Sequence, residues 1–289
     1  MNMQFTTIGN KNAPAVLLIH GMLSCGEDPL IFGRYLADEY YVISPTLDGH
    51  GNDGSELDSA QDEAAKITTY LKENGITALS LLQGSSMGAE VALAVREECG
   101  RCGISVGHCV FDGGPFFDFT PVRRFFMTLV FKRLIKLLDG DPDVVYERLR
   151  KNRFVKFVAR DKLEDFRPVL TSIAKKRRKF TDRTVRGMVK TCYNCILPRF
   201  TKEEQRSFLF FFSVDEPARQ SAPRLKKAYP FASYRCIRGY AHCGLQFKKP
   251  RRYAEFLKSI ISGKQSPDRM QINQLMQQDR TCRTYTADR

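Results

Sequence analysis

Ser86 stands at the centre of Gly84-Ser85-Ser86-Met87-Gly88. Before it comes an apolar run, Ala78 to Leu82; after it Ala89, Ala92, Leu93 and Val95 recur at helical spacing. Strand, G-x-S-x-G, helix is the arrangement that holds a serine exposed on a sharp turn, with glycine relieving the crowding on either side. A serine hydroxyl is a poor nucleophile at neutral pH unless a base takes its proton. Of the four histidines, His20, His50, His108 and His242, only His242 comes late in the chain, in Gly239-Tyr240-Ala241-His242 after a final strand. An imidazole accepts and returns a proton near the working pH. A carboxylate must hold its tautomer, and Asp215-Glu216 follow an apolar strand upstream. The backbone N–H of Met87, at a helix N-terminus, is expected to face the place where an oxyanion would form. These are the parts for acyl transfer through a covalent serine intermediate, and they call for no metal and no organic cofactor.

The elements that must position these groups alternate in a regular way. Ala15-Val-Leu-Leu-Ile19 reads as a buried parallel strand with His20-Gly21 at its carboxyl end. Leu30 to Tyr40 reads as a helix. Tyr41 to Ser44 reads as a strand ended by Pro45, with the glycine-rich reversal Asp48-Gly49-His50-Gly51 after it. Ser59 to Lys72 is expected to be helical, with Asn74-Gly75 as its stop. Val106 to Phe111 is the next strand, and Asp112 at its end falls near the site because ligands of open α/β sheets gather at carboxyl ends of strands. From Pro115 to about Arg206 the alternation breaks into helical patterns, with Phe125 to Leu138 read as amphipathic and Asp141-Pro142 as a helix start. Phe208 to Phe212, Tyr234 to Ile237 and Pro250 to Ile261 then read as strand, strand and closing helix.

With these pieces in this order, the chain as far as residue 262 resembles the α/β-hydrolase fold family in its compact form with a helical cap. The resemblance rests on His20-Gly21, Asp48-Gly49-His50-Gly51, Gly84 to Gly88, the late acidic pair and His242. It implies a mostly parallel sheet flanked by helices, with a core made of 1–115 and 207–262 and a cap of 116–206. It implies that the loop after the first apolar strand gives the second oxyanion N–H, from Met22 or Leu23, with Gly21 letting the backbone approach the substrate. Ser213 takes the place of the family's usual glycine, which puts Glu216 in the acid's position with Asp215 as its neighbour; both stay open, and Asp112 is a reserve candidate. His50 belongs to a structural loop. The implied activity is that of a serine hydrolase acting on a small-molecule carboxylic ester or thioester. The alternatives are a thioesterase, lipase or peptidase of the same fold, or a silent scaffold whose basic cap binds anionic membrane or nucleic acid.

Composition bounds the rest. The 289 residues suffice for one large α/β domain with an insertion. No dinucleotide motif and no long apolar span occurs, and the start, Met1 to Lys11, lacks the apolar centre of a secretion signal. Nine cysteines, an odd number, indicate free thiols in a reducing compartment, so a cytoplasmic protein is expected. Cys99/Cys102 and Cys192/Cys195 have C-x-x-C spacing but lie too far apart to be read as a zinc ribbon. The net charge is +14, and residues 120–206 hold 24 Lys+Arg against 10 Asp+Glu, so that segment carries the whole excess. Such a field suits a solvated face that keeps the protein soluble, or recruitment of an anionic substrate or lipid surface; nucleic acid is the least expected, since Phe154, Phe157 and Phe166 read equally well as the buried stripe of helices. Residues 263–289 read as a polar, disordered tail.

Overall fold

The computed structural model describes residues 3–51, 53–159, 162–176 and 179–263. The 264–289 part of the tail, two positions of the basic run at 175–179, and the side chain of Phe166 lie outside the described residues. Seven strands form one sheet in the order β1-β3-β2-β4-β5-β6-β7. These are β1 (Gln4–Ile8), β2 (Ala15–Ile19), β3 (Tyr41–Thr46), β4 (Ala78–Ser85), β5 (Ser105–Asp112), β6 (Phe208–Ser213) and β7 (Ser233–Ile237). All neighbours run parallel except β1, which pairs antiparallel with β3 at the edge.

Strands buried on both faces explain the continuous apolar runs. Side chains alternate across the sheet, so each strand feeds two cores. Phe208, Phe210 and Phe212 of β6 enter one core, with Ile67 and Leu71 of α2 (Ala60–Glu73) and Ala92 and Val95 of α3 (Met87–Cys102). Leu209 and Phe211 enter the other, with Phe32 of α1 (Leu30–Gly33) and Tyr253, Phe256 and Leu257 of α12 (Pro250–Ser262). Ser59 caps α2 by accepting the Asp62 N–H at 3.1 Å.

Two expectations need correction. The helix expected over Leu30 to Tyr40 is α-helical only as far as Gly33. Beyond it Tyr35 and Leu36 bond three residues back, to Phe32 and Gly33, so Leu36 reaches the core through tight turns. Pro45 does not end β3, which runs on to Thr46. β2 pairs with β3 only over Tyr41 to Ile43, so Pro45 lies past that ladder, where its missing N–H removes no bond on that side.

Between β5 and β6 the chain leaves the sheet. Among the described residues five α-helices, α4 (Pro121–Lys136), α5 (Pro142–Lys151), α6 (Arg153–Ala159), α7 (Arg167–Lys176) and α8 (Asp182–Tyr193), form the insertion. α9 (Lys202–Arg206) then leads back to the core under a capping box of Thr201 and Glu204. The two ends of the insertion are clasped together. Phe119 N–H donates to the Tyr193 carbonyl at 2.8 Å and Cys195 N–H to that of Phe117 at 3.0 Å, while the rings of Phe117, Phe119 and Tyr193 stack. After β6 come α10 (Ala222–Ala228) and, after β7, α11 (Gly244–Lys248). Among the described residues no helix is long and apolar enough to cross a membrane.

Candidate active site

Ser86, Asp112, Glu216 and His242 all lie at or just beyond the carboxyl ends of parallel strands, those of β4, β5, β6 and β7. Ser86 sits where β4 breaks directly into α3, at φ 53° and ψ −125°, outside the regions that L-residues favour. Its N–H donates to the Asp112 carbonyl at 2.7 Å, which pins the turn to the neighbouring strand. Glycine is required on both sides: a Cβ at Gly84 would lie 2.1 Å from the Gly88 carbonyl oxygen, and one at Gly88 2.4 Å from that of His20.

Ser86 Oγ is 2.9 Å from His242 Nε2, and His242 Nδ1 is hydrogen-bonded to Glu216 Oε2. The sequence left Asp215 and Glu216 both open; the turn decides which reaches the imidazole. Glu216 Oε1 accepts the Ser213 N–H at 2.7 Å, which folds the buried carboxylate back over the end of β6, while Asp215 is exposed. Ser213 has a further part to play, for its Oγ donates to the Ala241 carbonyl at 2.6 Å and ties the acid's loop to the histidine's. Burial opposes an imidazolium at His242, but the Glu216 carboxylate, by charge and by hydrogen bond, and then Asp112 outweigh it and raise its pKa above the ordinary histidine value.

Asp112 does not bond to the imidazole nitrogen that Glu216 occupies. Its carboxyl lies at the end of a buried chain of hydrogen bonds, in which Gln83 donates to Ser85 Oγ at 2.8 Å, Ser85 to Gln246 Oε1 at 3.0 Å, and Gln246 to Asp112 Oδ2 at 3.3 Å. Burial first, and then the nearby Glu216, push the Asp112 pKa up to about 7. Gln83 and Gln246 carried no readable signal, since a lone glutamine in a strand or helix looks like any surface residue. Cys243 Sγ lies 3.8 Å from His242 Nε2, but burial and the two neighbouring carboxylates hold it far above the usual thiol range, so it stays a neutral thiol.

The loop after β2 faces Ser86. His20 Nε2 accepts the Leu47 N–H at 3.0 Å, so its proton is on Nδ1, which donates to the Gly21 carbonyl at 2.8 Å and fixes the course of Gly21-Met22-Leu23. Leu23 is held at φ 67°. Met87 is buried in the first turn of α3, where backbone N–H groups have no helical acceptor. His50 is buried 5.1 Å from the His20 ring, away from Ser86 and His242. No disulfide joins any of the eight described cysteines. Among the described residues one group of carboxylates, Asp48, Asp62 and Glu63, is close enough to share a cation, and Lys66 Nζ already lies 2.5 Å from two of them.

Ser86 and His242 open into a cavity of about 480 Å³. Core residues Gly21, Met22 and Leu23 line one side; Phe119, Met127, Phe131, Leu149, Phe154, Ile173 and Tyr193 of the insertion and its stem line the other. Solved structures share the fold. An alpha/beta hydrolase family protein from Desulfitobacterium hafniense superposes with a TM-score of 0.69 at 18% identity, over 89% of this chain and 100% of that one. The chain has the α/β-hydrolase fold. An esterase from Thermogutta terrifontis matches this chain with a TM-score of 0.66 at 15% identity, over 90% and 93% of the two chains, and a bromoperoxidase from Bacillus anthracis with 0.66 at 17%, over 90% and 95%. No family model matches the sequence, and no curated protein does.

Proposed function

We propose that this α/β-hydrolase is a serine hydrolase that cleaves carboxylic esters. The observation that carries the reading is the hydrogen-bonded chain Ser86–His242–Glu216 opening into an apolar pocket. His242 Nε2 takes the Ser86 proton as Oγ adds to the ester carbonyl carbon, and the carbonyl oxygen becomes an oxyanion. The N–H groups of Met87 and of Met22 or Leu23 stabilise it, and losing one such donor typically costs about 3 kcal/mol in kcat. Collapse expels the alcohol, which takes the proton from His242, and leaves acyl-Ser86. Water, deprotonated by His242, then attacks the acyl-enzyme and releases the acid. Glu216 holds the proton on Nδ1 and stabilises the imidazolium.

The insertion acts as a cap that keeps water from the acyl-enzyme and supplies the acyl-binding wall. Its aromatic and aliphatic lining suits an apolar acyl group, and the likeness to an esterase agrees with that chemistry. Hydrolysis of a panel of p-nitrophenyl esters by wild type and Ser86→Ala tests the proposal. Turnover that vanishes in Ser86→Ala is the expected result; full activity in that variant, or no turnover of any ester by folded wild type, refutes it.

A further inference from the structure

Helix α4 carries two apolar stripes on opposite sides. Met127, Phe131, Leu134 and, just past its end, Leu138 share one face and line the cavity. Val122, Phe125, Phe126 and Leu129, spaced i, i+3, i+4, i+7, share the opposite face. Among the described residues most of that second stripe stays open: Val122 is 64% exposed, Phe125 61% and Phe126 59%, with Leu129 half-buried. Single exposed apolar side chains are ordinary, but three large ones in register on one helix mark a contact surface. Along the same face the apolar residues give way to Arg133 and Lys136, both exposed.

We propose that the outward face of α4 docks the protein on an anionic lipid surface. Charge complementarity chooses this occupant. The surrounding segment, 120–206, holds the chain's whole positive excess, 24 Lys+Arg against 10 Asp+Glu. A phenyl-rich stripe that continues into basic side chains is the pattern of helices that lie in a bilayer interface, apolar side down and cations at the headgroups. A second copy of the same face would set Arg133 and Lys136 against cations. Because the back of α4 is a wall of the cavity, a membrane held there lies about one helix diameter, ~10 Å, from the pocket. The docking rests on α4 and does not need a reactive Ser86.

Cosedimentation of the full chain as Ser86→Ala with phosphatidylcholine vesicles, with and without phosphatidylserine, tests it separately from hydrolysis. Capture by the serine-containing vesicles and weak capture by the neutral ones is expected. Phe125→Ser with Phe126→Ser should weaken capture at least about tenfold. Arg133→Glu with Lys136→Glu should remove the preference for phosphatidylserine, about fivefold per basic residue, as should added salt. On the Ser86 background the phenylalanine variant should still hydrolyse a soluble short ester at the wild-type rate, which shows that it folds. Should the vesicles capture no protein, or should capture survive both pairs of substitutions, the proposal is overturned. It is also overturned if sedimentation velocity finds a dimer that the Phe125 and Phe126 changes dissolve while vesicles capture nothing.

Discussion

Gly113→Ala tests the placement of His242 through a residue that takes no part in the chemistry. Gly113 follows β5 at φ +65°, and a Cβ there would lie 2.7 Å from Cys243 Sγ, 2.9 Å from His242 Cε1 and 3.0 Å from His242 Nδ1. Carbon atoms pack at about 3.5 to 4.0 Å, so the imidazole must give way by roughly 0.6 to 1 Å. The ring is held by two bonds, 2.9 Å to Ser86 Oγ and the contact to Glu216, and no shift of that size keeps both. A misplacement near 1 Å costs on the order of a hundredfold in rate. The left-handed backbone adds about 1 to 2 kcal/mol of strain, which lowers Tm by only a few degrees for a chain of this size. Gly103→Ala separates the two effects, because Gly103 has φ +76° with no atom within 4 Å of the added Cβ and lies at the far end of α3. Steady-state kinetics on a soluble ester should give a kcat about a hundredfold down in Gly113→Ala with KM little changed, and wild-type kcat in Gly103→Ala at a similar Tm loss. A Gly113→Ala enzyme with kcat within about threefold of wild type would refute the assignment of His242 as the base in this geometry.

Each methylene added to the acyl chain should raise kcat/KM roughly fourfold, from about 0.8 kcal/mol per buried CH2, until the cavity is filled, and a p-nitrophenyl ester series would show the plateau. Because Glu216 raises the His242 pKa against the effect of burial, the acid limb of kcat/KM should lie above the ordinary histidine value, and Glu216→Gln should move it to lower pH along with its loss of rate. Glu90 is wholly buried on α3, where its Oε1 accepts the Phe116 N–H at 2.6 Å, and burial lifts its pKa well above the carboxylate range. Its folded form therefore keeps the proton while the unfolded chain loses it, so stability falls as pH rises past the unfolded pKa. Glu90→Gln should melt like wild type near about pH 5 and higher than wild type near about pH 8.

Much of the site was readable because its chemistry is local. Ser86 is announced by the glycines its turn needs, and His242 by a short loop after a strand. Glu216 and Asp215 could not be separated from sequence, because the choice turns on one hydrogen bond from the Ser213 N–H. Strand β1, Gln-Phe-Thr-Thr-Ile, carries no apolar run because it is a partly exposed edge strand, and its place came only from pairing with β3. The segment from Leu30 to Tyr40 has helical spacing, yet tight turns satisfy the same spacing. Helix α4 read as a helix with one apolar face; its second stripe became visible only once the pocket showed which side was already in use.

The central claim is that Ser86 is a nucleophile activated by His242. Reaction of the folded protein with a fluorophosphonate probe, followed by peptide mass spectrometry, tests it most directly. A stoichiometric adduct on Ser86 that is lost in His242→Ala is the expected result. An unmodified Ser86 in folded protein, or an adduct that forms as fast without His242, would contradict it.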